Sequence, residues 1–229
     1  MRHFLTCLLL VAGNAVLFGQ TLPANYTLPP TTMSLDQKYG VLVPQAAASD
    51  SIKNPANSII EVATGKVIGA IKADAIFDRS NNDTLKPTRW SADDSQLLWL
   101  IDGKWGYDTA VLVTLADGRI KSQVNIISLL QKAILTRAKK ASPAQYAKIK
   151  AAGAGDGSWF KDGFAVDCVP VDGGTLKFPL DYNVYMGANI KQIDGAPDLE
   201  ARMTAQLNQD GTIKVTDFHL GDTPPARNW

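Results

Sequence analysis

Cysteine and histidine are nearly missing from this sequence. Its 229 residues hold two of each. One of each pair, Cys7 and His3, lies in an N-terminal stretch that reads as a removable leader. What remains is Cys168 and His219. A single cysteine cannot close an internal disulfide, so stability must rest on packing rather than covalent staples. A single histidine excludes a His-rich zinc site and argues against a Ser-His-Asp triad. A Gly-x-Ser-x-Gly nucleophile elbow is also missing. Long apolar runs are equally scarce. The one candidate, Phe4 to Phe18, follows the short polar start Arg2-His3 and ends at Leu17-Phe-Gly19. That is the pattern of a secretory signal, too short to span a bilayer as a permanent helix. Residues 1–19 are therefore expected to be cleaved near Gly19 or Gln20, with export to the periplasm or the medium. No small-residue box precedes a cysteine at the end of the run, which argues against a lipoprotein anchor. No transmembrane segment is expected.

The acids show the next gap. From Arg119 to Gly155 there are eight Lys or Arg residues and no Asp or Glu, although the whole chain carries a net charge of only +1. A basic middle thus lies between two acidic parts. Elsewhere Asp outnumbers Glu and often stands beside Gly or Ser, where its short carboxylate bonds nearby backbone N–H groups in turns. After loss of the leader about 210 residues remain, 45% apolar in the whole chain, which is enough for one large or two small packed cores.

What is present is a half-repeat. Ser34-Leu-Asp-Gln-Lys-Tyr-Gly-Val-Leu-Val precedes Ile59-Ile-Glu-Val-Ala-Thr-Gly-Lys-Val-Ile. The same plan returns as Ser91-Ala-Asp-Asp-Ser-Gln-Leu-Leu-Trp-Leu, then Val111-Leu-Val-Thr-Leu-Ala-Asp-Gly-Arg-Ile. Each copy reads as a Ser-x-Asp turn, an apolar strand, a second apolar strand and a Gly-containing hairpin. Residues 20–33, with Pro23, Pro29 and Pro30, form an extended leader. Unit one has expected strands at Tyr39–Val43, Ser58–Ala63 and Val67–Lys72, joined by a Thr64-Gly65 turn. Unit two has strands at Leu97–Asp102, Ala110–Leu115 and Arg119–Lys121, with Asp117-Gly118 as the matching turn. Together they occupy residues 34–121.

The period changes in residues 122–154. From Val124 to Ala138 the apolar residues Ile126, Ile127, Leu130, Ala133, Ile134 and Ala138 fall three and four apart, which marks an amphipathic helix. Lys139 and Lys140 sit in its last turn, where cations suit the helix dipole. Ser142-Pro143-Ala-Gln145 reads as the cap of a second helix. In residues 155–229 alternation returns, with strands expected at Phe164–Val169, Leu176–Met186, Leu199–Leu207 and Ile213–Leu220. The fold class read from these patterns is α+β. It is mainly antiparallel β, with two blade-like units, a central helical pair and a C-terminal antiparallel sheet, and residues 34–229 can form one compact domain.

The Ser-x-Asp turn before an apolar strand, with a Thr-Gly-Lys or Asp-Gly-Arg hairpin after it, resembles the blades of TolB-like and WD-repeat propellers. Trp90-Ser91-Ala92-Asp93-Asp94 is similar to the Trp-Ser-Pro-Asp-Gly run that opens a blade in those families. Met33-Ser34-Leu35-Asp36-Gln37 is a weaker copy without the Trp. The whole layout resembles small secreted bacterial proteins of unknown function, which implies no activity. Two blades cannot close a ring of roughly four to eight. The helices, the C-terminal strands or a second molecule must therefore cover the exposed blade face.

Candidate chemistry is sparse. Asp78-x-Ser80-x-Asn82 begins like a calcium loop, but Asp83 replaces the required glycine and Arg89 the twelfth-position Glu, so a surface turn is the better reading. Asp93 and Asp94 are neighbours on a turn, point apart and are expected to cap backbone N–H groups. No catalytic residue, metal ligand or cofactor is assigned. The binding candidates are Lys104, Trp105 and Tyr107, at a turn of unit two, and Lys139 and Lys140 on the helices. Lys132, Arg137, Lys148 and Lys150 complete a basic helical face, whose plainer reading is a solvated surface beside the chain's own acidic sheets. The partner expected is another protein or a cell-envelope component, anionic lipid included. Nucleic acid is disfavoured by the leader. The function expected is a secreted or periplasmic, non-catalytic binding protein. A hydrolase or carbohydrate-active enzyme using only carboxylates is the alternative.

Overall fold

The computed structural model describes residues 22–45, 51–73, 76–77, 84–86, 88–103, 106–153, 163–171, 174–188 and 199–221. Unit one is a four-stranded antiparallel sheet in the order β1 (Tyr26–Thr27), β2 (Tyr39–Pro44), β3 (Ser58–Glu61), β4 (Lys66–Ala70). All six residues of β2 are buried, so its unbroken apolar run is that of a strand covered on both faces. Unit two is a five-stranded antiparallel sheet. Its path runs β5 (Thr84–Leu85), β7 (Gln96–Gly103), β8 (Gly106–Ala116), β9 (Arg119–Asn125), with β6 (Arg89–Trp90) also paired to β7. Asp117 and Gly118 both take positive φ, 51° and 65°, the pair of left-handed residues a type I′ hairpin needs.

The half-repeat holds at the level of individual hydrogen bonds. The Ser34 hydroxyl donates to Asp36 at 2.8 Å, and the Ser91 hydroxyl donates to Asp93 at 2.6 Å. The Tyr39 N–H donates to Ser34 Oγ and the Gln96 N–H to Ser91 Oγ, at 3.1 and 2.9 Å. The Ser34 and Ser91 N–H groups donate back to the Tyr39 and Gln96 carbonyls, at 2.8 and 2.9 Å. In each turn the residue after the shared Asp is left-handed, Gln37 at φ 60° and Asp94 at φ 54°. The serine thus caps the incoming strand, and the shared aspartate fixes the serine.

The chain continues into two helices, α1 (Ile126–Ala141) and α2 (Pro143–Gly153), and a four-stranded antiparallel sheet of β10 (Phe164–Pro170), β11 (Leu180–Ala188), β12 (Ala201–Leu207) and β13 (Ile213–Leu220). The α+β class, mainly antiparallel, is therefore as the patterns indicate. Among the described residues the sheets do not close into a ring. Several boundaries differ from expectation; β8, expected from Ala110, already starts at Gly106, so Tyr107 stands in a strand and not in a turn. The last strand of unit two runs on to Asn125, because residues 119–125 keep pairing along the long β8 as far as Val111. Asn125 then caps α1, its side chain accepting the Ser128 N–H at 3.0 Å. The strand expected from Leu176 starts at Leu180, after Pro179, which has no N–H to give a ladder. The strand expected from Leu199 starts at Ala201.

Packing explains how the two repeated units survive without a closed ring. Alternate residues of β7 and β8 enter two cores. Leu97, Trp99, Ile101, Val111 and Val113 pack with Tyr39, Val41, Val43 and Ile59 of unit one. Leu98, Leu100 and Leu112 pack instead with Ile126, Leu130 and Ile134 of α1 and with Tyr182, Val184 and Met203 of the C-terminal sheet. Unit two is thus the middle layer, with both faces covered. At the rim, Gln123 clamps the β4 end of unit one, accepting the Lys72 N–H at 2.7 Å and donating to the Ala70 carbonyl at 3.0 Å.

Candidate functional site

The residues picked out from the sequence divide sharply. Lys104 and Trp105 lie outside the described residues, as do the expected signal segment 1–19 and the Asp78–Asp83 loop. Tyr107 stands in β8 opposite Asp102 of β7, and its side chain lies outside the described set. Lys139 and Lys140 occupy the last turn of α1 and are exposed.

Lys139 borders a cleft of about 470 Å³ between α1 and α2. Helix period builds this cleft. Ser128, Lys132, Leu135 and Lys139 recur at intervals of three and four, so they line one stripe of α1. Lys132 and Lys139 stand on the rim, while Leu135 and Tyr146, both buried, form the floor. Tyr146 is supplied by α2 and held by stacking on Phe164, with ring centroids 4.7 Å apart. Ser128, Gln131 and Thr136 add hydroxyl and amide groups. Arg137 turns along its own helix and donates to the Ala133 carbonyl at 3.3 Å. Among the described residues no ion pair engages Lys132, Lys139 or Lys140. The structure therefore brings Lys139 together with Lys132 and leaves Lys140 outside the cleft.

The other titratable candidates have structural partners. His219 pairs with Asp217 at 2.8 Å, both about half exposed. Cys168 is 1% exposed, and burial, with the nearby Asp167 charge second, pushes its thiol far up from the ordinary range, which removes the thiolate a nucleophile needs. Asp93 behaves as the turn residue expected. Its bonds to the Ser91 hydroxyl, the Ser95 hydroxyl and the Ser95 N–H hold its carboxyl below the ordinary value. Asp94, expected to cap its own turn, faces the equivalent turn of unit one instead. It is 6% exposed and reaches across to hydrogen-bond Asp36 of the equivalent turn in unit one, which also offers the Leu35 N–H and the Ser34 side chain. Burial first, and Asp36 second, push Asp94 up from 3.8 to about 6. Asp36 is held below its ordinary value, chiefly by that same bond to Asp94 and then by the Lys38 N–H.

Below about pH 6, where Asp94 is protonated, the two carboxyls can join the repeats through its proton; above it they repel. A raised folded-state value means that stability is fully present below the ordinary carboxylate value and falls as pH rises through about 6. Asp36 works oppositely, adding stability above its ordinary value and losing it as pH falls. Asp94→Asn keeps a donor toward Asp36, removes the repulsion and tolerates positive φ. It is expected to stabilise the fold by about 1 kcal/mol above pH 6 and to do little near pH 4.5. Urea melts of both proteins at the two pH values check this. An equal difference at both would mean that Asp94 does not hold the proton.

Glycoside-cleaving carboxyls stand about 5–9.5 Å apart to flank a sugar, whereas Asp36 and Asp94 bond directly to each other. Among the described residues no three metal-binding side chains come together, and no helix is long and apolar enough to cross a membrane. In comparisons with known proteins, the chain matches no family model, no characterised protein and no solved structure.

Proposed function

We propose that this chain is an exported, non-catalytic binding protein whose α1–α2 cleft takes an anionic group of another protein or of a cell-envelope component. The observation that carries this reading is the cleft itself, with Lys132 and Lys139 on its rim and no acidic neutraliser among the described residues. It lies in the segment that has eight cations and no acid. The Phe4–Phe18 run supports export, and the repeated Ser-x-Asp turns support kinship with propeller blades. The alternative, a carboxylate-dependent hydrolase, draws on Asp36 and Asp94. The two carboxyls face each other directly and Asp94 is buried, with no gap between them for a sugar, which leaves that reading less well supported.

Cosedimentation of the purified chain with envelope fractions of its native host tests the proposal. Binding is expected to weaken as salt rises, because exposed charges are screened over about 8–10 Å near physiological ionic strength. The double change Lys132→Gln, Lys139→Gln is expected to weaken low-salt binding roughly tenfold, about 1.4 kcal/mol, and to flatten the salt dependence. A double variant that binds like its parent would show that the helical face is merely solvated.

A further inference from the structure

The geometry points to the occupant of this cleft: an extended acidic peptide segment whose carboxylates stand three residues apart. The inference rests on the anion-binding reading and narrows it. Lys132 and Lys139 are seven residues apart on α1, nearly two full turns, so they share a face and stand about 10.5 Å apart along the axis. A polyproline II strand has three residues per turn and rises about 3.1 Å per residue, so side chains at i and i+3 share a face about 9.3 Å apart. Flexible lysine stems absorb the remaining difference.

The lining argues for an extended chain rather than a helix. A helix satisfies its own backbone groups and needs a groove wide enough for a cylinder of about 10–12 Å. This cleft, at about 470 Å³, falls in the range of small-ligand sites, roughly 300–1,000 Å³, and holds only a few residues. An extended strand has unsatisfied N–H and C=O groups along its length. Thr136 places a hydroxyl between the two lysines, and Ser128 and Gln131 add a hydroxyl and an amide along the turn before Lys132. The Thr136 hydroxyl spends its proton on the Lys132 carbonyl at 2.7 Å, so its oxygen is left to accept a peptide N–H. The Leu135–Tyr146 floor gives apolar contact of the kind that Pro-rich strands use. A flat bilayer surface would instead engage the outward cations, such as Lys140 and Lys148, and leave a recessed floor empty.

The test uses the full chain and dye-labelled Pro-rich peptides of equal length, read by fluorescence anisotropy. One peptide carries two Glu three residues apart, the second carries them adjacent, and a third has Gln in both places. Vesicles containing phosphatidylserine form a separate arm. The inference expects the three-apart peptide to bind at least tenfold more tightly than the adjacent one. Lys132→Gln and Lys139→Gln should each abolish that preference, while Lys148→Gln keeps it. Equal binding of both acidic peptides, lost in the Lys132 and Lys139 variants, overturns the spacing and leaves the anion-binding reading standing. Preference for vesicles over every peptide overturns the peptide as occupant. If no anionic probe binds, the inference and the reading beneath it both fall.

Discussion

Trp90→Ala is expected to destabilise the protein by about 3–5 kcal/mol, the range for deleting a buried large aromatic. Trp90 is 2% exposed, and three separate stretches of the chain meet at it. Its ring stacks on Tyr39 of unit one, with centroids 6.0 Å apart. Its indole N–H donates to the buried Thr32 carbonyl at 3.1 Å. Its own carbonyl accepts the N–H of Leu176 from the C-terminal region at 2.9 Å. Alanine keeps only the last of these, opens a cavity and leaves the Thr32 carbonyl with one partner fewer. Trp90→Phe keeps most of the ring contact and loses the indole bond, so its cost should be nearer 1–2 kcal/mol. Urea unfolding gives both values from the midpoint if the slope is unchanged. A loss under about 1 kcal/mol for the alanine variant would mean that the units do not depend on this residue for their docking.

Legibility in the sequence followed the range of the interaction that decides each feature. The two Ser-x-Asp turns were readable because every group in them lies within a few residues, and the Asp117-Gly118 hairpin was readable for the same reason. The helical stripe of α1 was readable from spacing, as Ile126, Leu130, Ile134 and Ala138 are all buried. Its start was misplaced by two residues, since Val124 belongs to whichever partner is longer, and β8 extends far enough to claim it. The cleft was half legible. A block without acids marked Lys139 as a candidate and put Lys132 on the same basic face, but nothing local links Tyr146 to them. Its place follows from stacking on Phe164, beyond α2 in the chain. The Asp36–Asp94 contact was hidden more deeply. Asp93 and Asp94 look alike as neighbours on a turn. The repeat aligns Asp93 with Asp36 and Asp94 with Gln37, and only the docking of the two units turns Asp94 toward its counterpart turn.

Gly211→Ala is expected to cost about 2–3 kcal/mol, the second largest single loss, although the change adds one methyl group. Two causes act together. Gly211 closes the β12–β13 hairpin at φ +83°, where an L side chain costs roughly 1–2 kcal/mol. A Cβ there would also meet Val124 Cγ2 at 2.8 Å, and Val124 is a strand residue of unit two packed on the main core. The hairpin is pinned to unit two at this point, because the Gln96 side chain donates to the Gln209 carbonyl at 2.8 Å. It therefore cannot simply lift away. Gly118 separates the two causes. It has nearly the same conformation, φ +65°, with nothing within 4 Å of an added Cβ. Gly118→Ala should show the backbone term alone, about 1 kcal/mol. Val124→Ala removes the obstructing methyl, so the double variant with Gly211→Ala should be about 1 kcal/mol more stable than the sum of the singles predicts. Strict additivity, with Gly211→Ala no worse than Gly118→Ala, would show that the C-terminal hairpin does not seat against β9.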